Sequence, residues 1–131
     1  MSHWAEQYIG APWENGAQGP EAFDCWGFVR HVYATQRGLT LPILAIDADK
    51  PLAVRHAIMD EQAEGRWQMV AGHLQDFDVV LLSKAQHPDH VGVWVAGSLL
   101  HCIRGAGVVY QTRQAIKQSG WNMVSCYRMA A

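Results

Sequence analysis

From position 90 the chain reads His90-Val91-Gly92-Val93-Trp94-Val95-Ala96-Gly97-Ser98-Leu99-Leu100-His101-Cys102-Ile103. Two runs rich in branched and aromatic residues flank a short Gly-containing segment, the pattern of a β-hairpin. A two-residue turn at Ala96-Gly97 pairs Val95 with Ser98, Gly92 with His101 and His90 with Ile103. His90 and His101 then share a face as diagonal neighbours, about 7–8 Å apart between backbone positions and within reach for two imidazoles. Gly92, opposite His101, leaves room for the second ring, and the other face carries Val91, Val93, Val95, Leu100 and Cys102 for the core. A turn at Gly97-Ser98 would instead set His101 opposite Trp94, about 13 Å along the strand from His90. The first register gives both histidines a chemical use and is the one expected.

Outward from the hairpin the period of two continues. Val79-Val80-Leu81-Leu82 reads as a buried strand, and residues 108–111 and 123–128 complete an antiparallel sheet of about five strands. Upstream the period becomes helical, with Cys25, Phe28, Val29, Val32 and Tyr33 forming one apolar stripe. Asp24 stands where an N-cap belongs and Gly38 where that helix should stop. A short helix over residues 4–9, ended by Gly10, and another over residues 52–64, between Pro51 and Gly65, are also expected. Residues 10–20 are dense in Gly and Pro and read as loop. Helices first and antiparallel strands afterward make an α+β domain. With 131 residues and neither repeat nor linker, the chain is expected to be a single domain over 1–131.

Half of the residues are apolar and 17% are charged, enough to build a core. The net charge is −2 and basic residues do not cluster, which argues against nucleic acid as a partner. The apolar run at 91–100 is shorter than the roughly 18 residues a spanning helix needs, so no membrane insertion is expected. Met1-Ser2-His3-Trp4-Ala5-Glu6 has neither a basic n-region nor an apolar h-region, so the expectation is no signal peptide and synthesis in the cytoplasm. Six Trp residues suit core packing for the most part, with some left for a surface that handles sugars or peptides. Cys25, Cys102 and Cys126 are an odd set without Cys-x-x-Cys spacing, so no disulfide framework is expected. Zinc held by Cys25, His90, His101 and Cys102 would lack paired ligand spacing, and the adjacent strand residues His101 and Cys102 point to opposite faces. No metal and no cofactor is therefore expected.

The chemistry centres on Cys25. Unpaired amides and the macrodipole favour an anion at a helix start, so a thiolate is expected to be stabilised there. A thiolate nucleophile needs a base beside it and a group that orients the base, and His90 and His101 are the candidates. Cys102 and Cys126 read as buried thiols. His31 and His56 read as structural or surface residues, and His3, His73 and His87 lie in terminal or loop context.

Gly10-Ala11-Pro12-Trp13, then Phe23-Asp24-Cys25-Trp26-Gly27-Phe28-Val29, Val79-Val80-Leu81-Leu82, His90-Val91-Gly92-Val93-Trp94 and Leu100-His101 together resemble the NlpC-type peptidases. The resemblance runs in order from about Tyr8 to Cys102. It implies a papain-like α+β fold, with N-terminal helices on the sheet, and cleavage of peptidoglycan stem peptides. It also implies Cys25 as nucleophile, His90 as general base and acid, and His101 as orienter. Trp26 stands where that family usually has serine and Trp13 where it usually has tyrosine. Both positions flank substrate in the family, and Asp24 would cap the helix, bind a substrate amine, or do both. An amidase cutting the sugar–peptide amide with the same triad, and a catalytically idle phage tail assembly module, are the alternatives. The lack of a signal sequence suits phage-tail or prophage members, whose partners include other tail proteins and which reach the cell wall by tail or holin-type delivery.

Overall fold

The structure, a computed structural model, describes residues 3–43, 60, 61, 63, 65–84 and 89–129. A turn of 3-10 helix over Trp4–Tyr8 leads through the loop to helix α1 (Cys25–Val32). After α1 the chain widens into a π turn over Tyr33–Arg37 and stops at Gly38, whose φ of 64° closes the helix as the sequence anticipates. Then follow β1 (Trp67–Met69), β2 (Val79–Ser83), β3 (His90–Val95), β4 (Ser98–Ile103), β5 (Gly107–Gln111), helix α2 (Arg113–Gln118) and β6 (Asn122–Met129). The helix expected over 52–64 lies outside the described residues except at Asp60, Glu61 and Ala63. Among the described residues no helix is long and apolar enough to cross a membrane.

The strands form one antiparallel sheet in the order β1-β6-β2-β3-β4-β5. The fold class is thus the α+β arrangement expected, with six strands among the described residues rather than about five. The additional strand, β1, is three residues long and largely exposed, so it carries no alternation to read; pairing with β6 defines it. Helix α2 was also not anticipated. It is short, held by the Thr112 side chain accepting from the Ala115 amide and by burial of Ile116.

Alternation along the strands divides the interior into two layers. Val91, Val93, Val95, Leu100 and Cys102 face α1 and bury Phe28, Val29 and Val32. Complete burial of a side chain of that size contributes about 1.5–3 kcal/mol. An eight-residue helix is marginal by itself, so this packing is what keeps α1 formed. On the other face Val80, Leu82, Trp94 and Leu99 pack with Ile116 and half-buried Trp121. His90 and His101 belong by alternation to this second face.

Candidate active site

The Asp24 carboxylate fixes the start of α1. Its Oδ1 accepts the Gly27 amide at 2.6 Å and its Oδ2 accepts the Gly16 amide at 3.2 Å, so one side chain ties the helix to the preceding loop. Such a cap is worth about 0.5–2 kcal/mol. Burial pushes the Asp24 carboxyl above its ordinary range, and the two amides pull it back. Cys25 follows at the first helical position, buried within the layer between α1 and the sheet. The backbone amides of Val91 and Trp26 stabilise charge on its sulfur. Val91 is the residue after His90, so the thiol meets β3 where the first histidine begins it.

The thiolate expected at this helix start is not the resting form. Burial pushes the Cys25 thiol up to about 12, with the Asp24 carboxylate acting in the same direction, and together they outweigh the two amides. The sequence showed the helix end; it did not show that the sulfur would be closed off from water beside a carboxylate. Cys102, whose sulfur donates to Phe23 O at 3.3 Å, is likewise pushed up by burial to about 12.

The hairpin has the expected register, Val95 opposite Ser98, Trp94 opposite Leu99 and Val93 opposite Leu100. It brings His90 Nε2 to 2.9 Å from His101 Nδ1, with both rings buried. Burial holds His90 well below its ordinary pKa, helped by His101 and Lys84, and lowers His101 to about 4. Both rings are therefore neutral at physiological pH. Trp121 stacks on His90 with centroids 4.6 Å apart, and the Lys84 ammonium sits 4.8 Å over the Trp121 ring. Beyond His101 the bonding continues: its Nε2 is 2.8 Å from Gln111 Oε1, and Gln111 Nε2 donates to Ser119 Oγ at 3.0 Å.

Gln111, Ser119, Trp121 and Lys84 were not picked out from the sequence. One of them was within reach: Val109 pairs with His101, so Gln111 is its diagonal neighbour on the same face, by the relation that joins His90 to His101. Of the residues expected to flank substrate, Trp13 is half-buried, with the Arg104 guanidinium 5.7 Å from its ring centroid. Trp26 is buried and donates its indole N–H to Pro42 O at 2.9 Å. Both Asp24 oxygens already accept backbone amides, Oδ1 that of Gly27 in the helix and Oδ2 that of Gly16 in the loop. Among the described residues no three His, Cys, Asp or Glu side chains gather as a metal site.

The sequence model of the NlpC/P60 family matches residues 10–129. The chain belongs to the NlpC/P60 family. A relative in Listeria seeligeri, named as a probable endopeptidase p60, is 28% identical over 117 residues, covering 89% of this chain and 19% of that protein. The chain thus spans about a fifth of that relative's length. Among solved structures, the NlpC/p60 domain of the peptidoglycan hydrolase SagA is 20% identical with a TM-score of 0.64, covering 95% of this chain and 92% of that one. NlpC2 and NlpC1 from Trichomonas vaginalis give TM-scores of 0.65 and 0.66, each at 18% identity over 95% of this chain and over 44% and 41% of theirs. These three share the NlpC/P60 fold with it.

Proposed function

We propose that this NlpC/P60 domain is a cysteine peptidase that hydrolyses a peptide bond in the stem peptides of bacterial peptidoglycan. The observation that carries the reading is the buried His90–His101 pair, 2.9 Å between ring nitrogens, with His90 on the strand whose Val91 amide serves the Cys25 sulfur. Family membership and the names of the relatives support it.

Because thiol and imidazole both rest neutral, proton transfer accompanies attack. As the Cys25 sulfur bonds to the substrate carbonyl carbon, its proton passes to the His90 nitrogen not bonded to His101, leaving an oxyanion. The backbone amide of Cys25, at the start of α1, offers that oxyanion a donor. His90 then gives the proton to the leaving amine, the C–N bond breaks and an acyl-enzyme remains. Water, deprotonated by His90, attacks the acyl carbon and releases Cys25 as a thiol. Trp13, Asp24 and Trp26 would border the peptide; Trp13 would offer it a partly open ring, while Asp24 and Trp26 shape the wall of the site from within.

Digestion of purified peptidoglycan, with mass spectrometry of the released fragments, tests this. Wild type should release fragments cut between stem residues, and Cys25→Ala should release none. Intact stems freed from the sugar would identify an amidase with the same machinery. No release from any peptidoglycan type would favour a non-catalytic tail assembly module. Delivery to the wall by phage tail or holin-type release is part of the same proposal: expression should be harmless in the cytoplasm and lytic when the domain is exported.

A further inference from the structure

We propose that Gln111 is a positioning residue that sets the tautomers of both histidines, with Ser119 fixing which way its amide points. The inference rests on the peptidase reading for its purpose, and for its content on the bonds that run from Ser119 to His90 between two neutral rings.

The donors and acceptors are fixed from the far end inward. The Ala115 carbonyl can only accept, so the Ser119 hydroxyl, 2.9 Å away, donates its one proton there. Toward Gln111, 3.0 Å away, Ser119 Oγ is then an acceptor, and Gln111 must present its NH2. That leaves Gln111 Oε1 facing His101 Nε2 at 2.8 Å. A carbonyl oxygen accepts, so His101 Nε2 carries the proton. His101 is wholly buried and neutral, hence its Nδ1 is bare. Nδ1 lies 2.9 Å from His90 Nε2, which must therefore carry a proton too. His90, neutral as well, is left with a lone pair on Nδ1, the form a base requires.

Reversing the Gln111 amide reverses every link. His101 would be protonated on Nδ1, His90 would accept at Nε2, and His90 Nδ1 would already hold its proton and could take none from a thiol. The reversal also requires Ser119 to turn its hydroxyl from Ala115 to Gln111. The reversed sense thus gives up the Ser119–Ala115 hydroxyl bond, whereas the first satisfies every contact in place. No proton travels along them; when His90 becomes an imidazolium it still donates Nε2–H to His101.

Long-range 1H–15N correlation spectra of the 15N-labelled domain read the tautomers directly, without substrate. Both His90 and His101 should be Nε2–H in wild type. Gln111→Glu keeps an acceptor facing His101 and should keep that pattern. Gln111→Met removes the acceptor and should give mixed tautomers, with kcat lowered on the order of 10- to 100-fold and KM unchanged, as for other supporting partners of a functional histidine. Finding Nδ1–H on His101 in wild type overturns the proposal, as does Gln111→Met with wild-type spectra and kcat. The wild-type spectrum decides even if a variant fails to fold. Absence of any peptidoglycan cleavage by wild type would remove the peptidase reading and leave the tautomer result standing on its own.

Discussion

A Cβ on Gly92 would stand 2.8 Å from the Cβ of His101 and 2.9 Å from Leu99 Cδ1. Real Cβ atoms do not approach so closely, so only glycine at 92 lets the His101 ring lie against β3 and meet His90. Gly92→Ala must therefore displace β4 or the ring. Overpacking of this kind costs about 1–3 kcal/mol, and here the displacement falls on a bonded pair of catalytic candidates. Turnover on peptidoglycan should drop well beyond what the loss of folded protein explains. Urea denaturation and kcat measured together check this, and a destabilised variant with unchanged kcat would uncouple Gly92 from the histidine pair.

Cys25 should behave as a buried thiol until substrate arrives. Its folded pKa of about 12 lies above that of a free thiol, near 8.5, so thiolate accumulates only on the alkaline side. The rate of iodoacetamide labelling at Cys25 should still be rising beyond pH 9. A plateau with a midpoint at or below 8.5 would mean that the Val91 and Trp26 amides dominate after all, and that the enzyme rests as an ion pair.

Much of this site was legible because it depends on short-range geometry. The period-two pattern from His90 to Ile103, with one turn assumed, placed two rings on one face, and the register Val95–Ser98 bears that out. Asp24 through its side-chain cap, and Gly38 through its left-handed backbone, bracket α1 and the π turn that follows it, and both preferences are local. What escaped depends on distant parts of the chain. Trp121 covers His90 because α2 brings residue 121 back over the sheet, and neither α2 nor that return has a strong local signal. The resting state of the Cys25 thiol escapes the sequence for the same reason: a helix start is local, whereas burial beside Val91 and Cys102 is assembled from three elements.

The histidine pair should leave a mark on stability at acid pH. In the unfolded chain each imidazole protonates near 6.5, whereas in the fold His101 does so at about 4 and His90 well below its ordinary value. Below pH 6.5 the unfolded state thus binds more protons, and stability falls as pH drops, by up to about 1.4 kcal/mol per pH unit for each histidine. Asp24 and Asp89, raised by burial, act in the opposite sense over the acid range. Comparison of wild type with His101→Asn isolates the histidine contribution. The variant should lose less stability than wild type between pH 6.5 and 4.5, as followed by the urea midpoint; equal slopes would show that His101 titrates normally in the fold.

Substitutions at His101 separate orientation from space-filling. His90 must hold one nitrogen free for the Cys25 proton, and His101 Nδ1 accepts from the other at 2.9 Å. Charge on His101 is not required, since burial keeps it neutral. A neutral amide oxygen can do the same task, so His101→Gln and His101→Asn should keep a measurable share of kcat. His101→Ala removes the acceptor and leaves a cavity, and should lose far more; loss of an orienting group in comparable triads costs up to roughly 10⁴ in turnover. His101→Leu is the decisive member of the series, because it fills the space beside Gly92 without offering an acceptor. If orientation is the role, His101→Leu should fall with His101→Ala although its stability matches or exceeds that of His101→Gln. His90→Gln removes the base itself and should be as inactive as Cys25→Ala. Should His101→Leu turn over as fast as His101→Gln, His101 is packing, and the acceptor that holds His90 must be sought elsewhere.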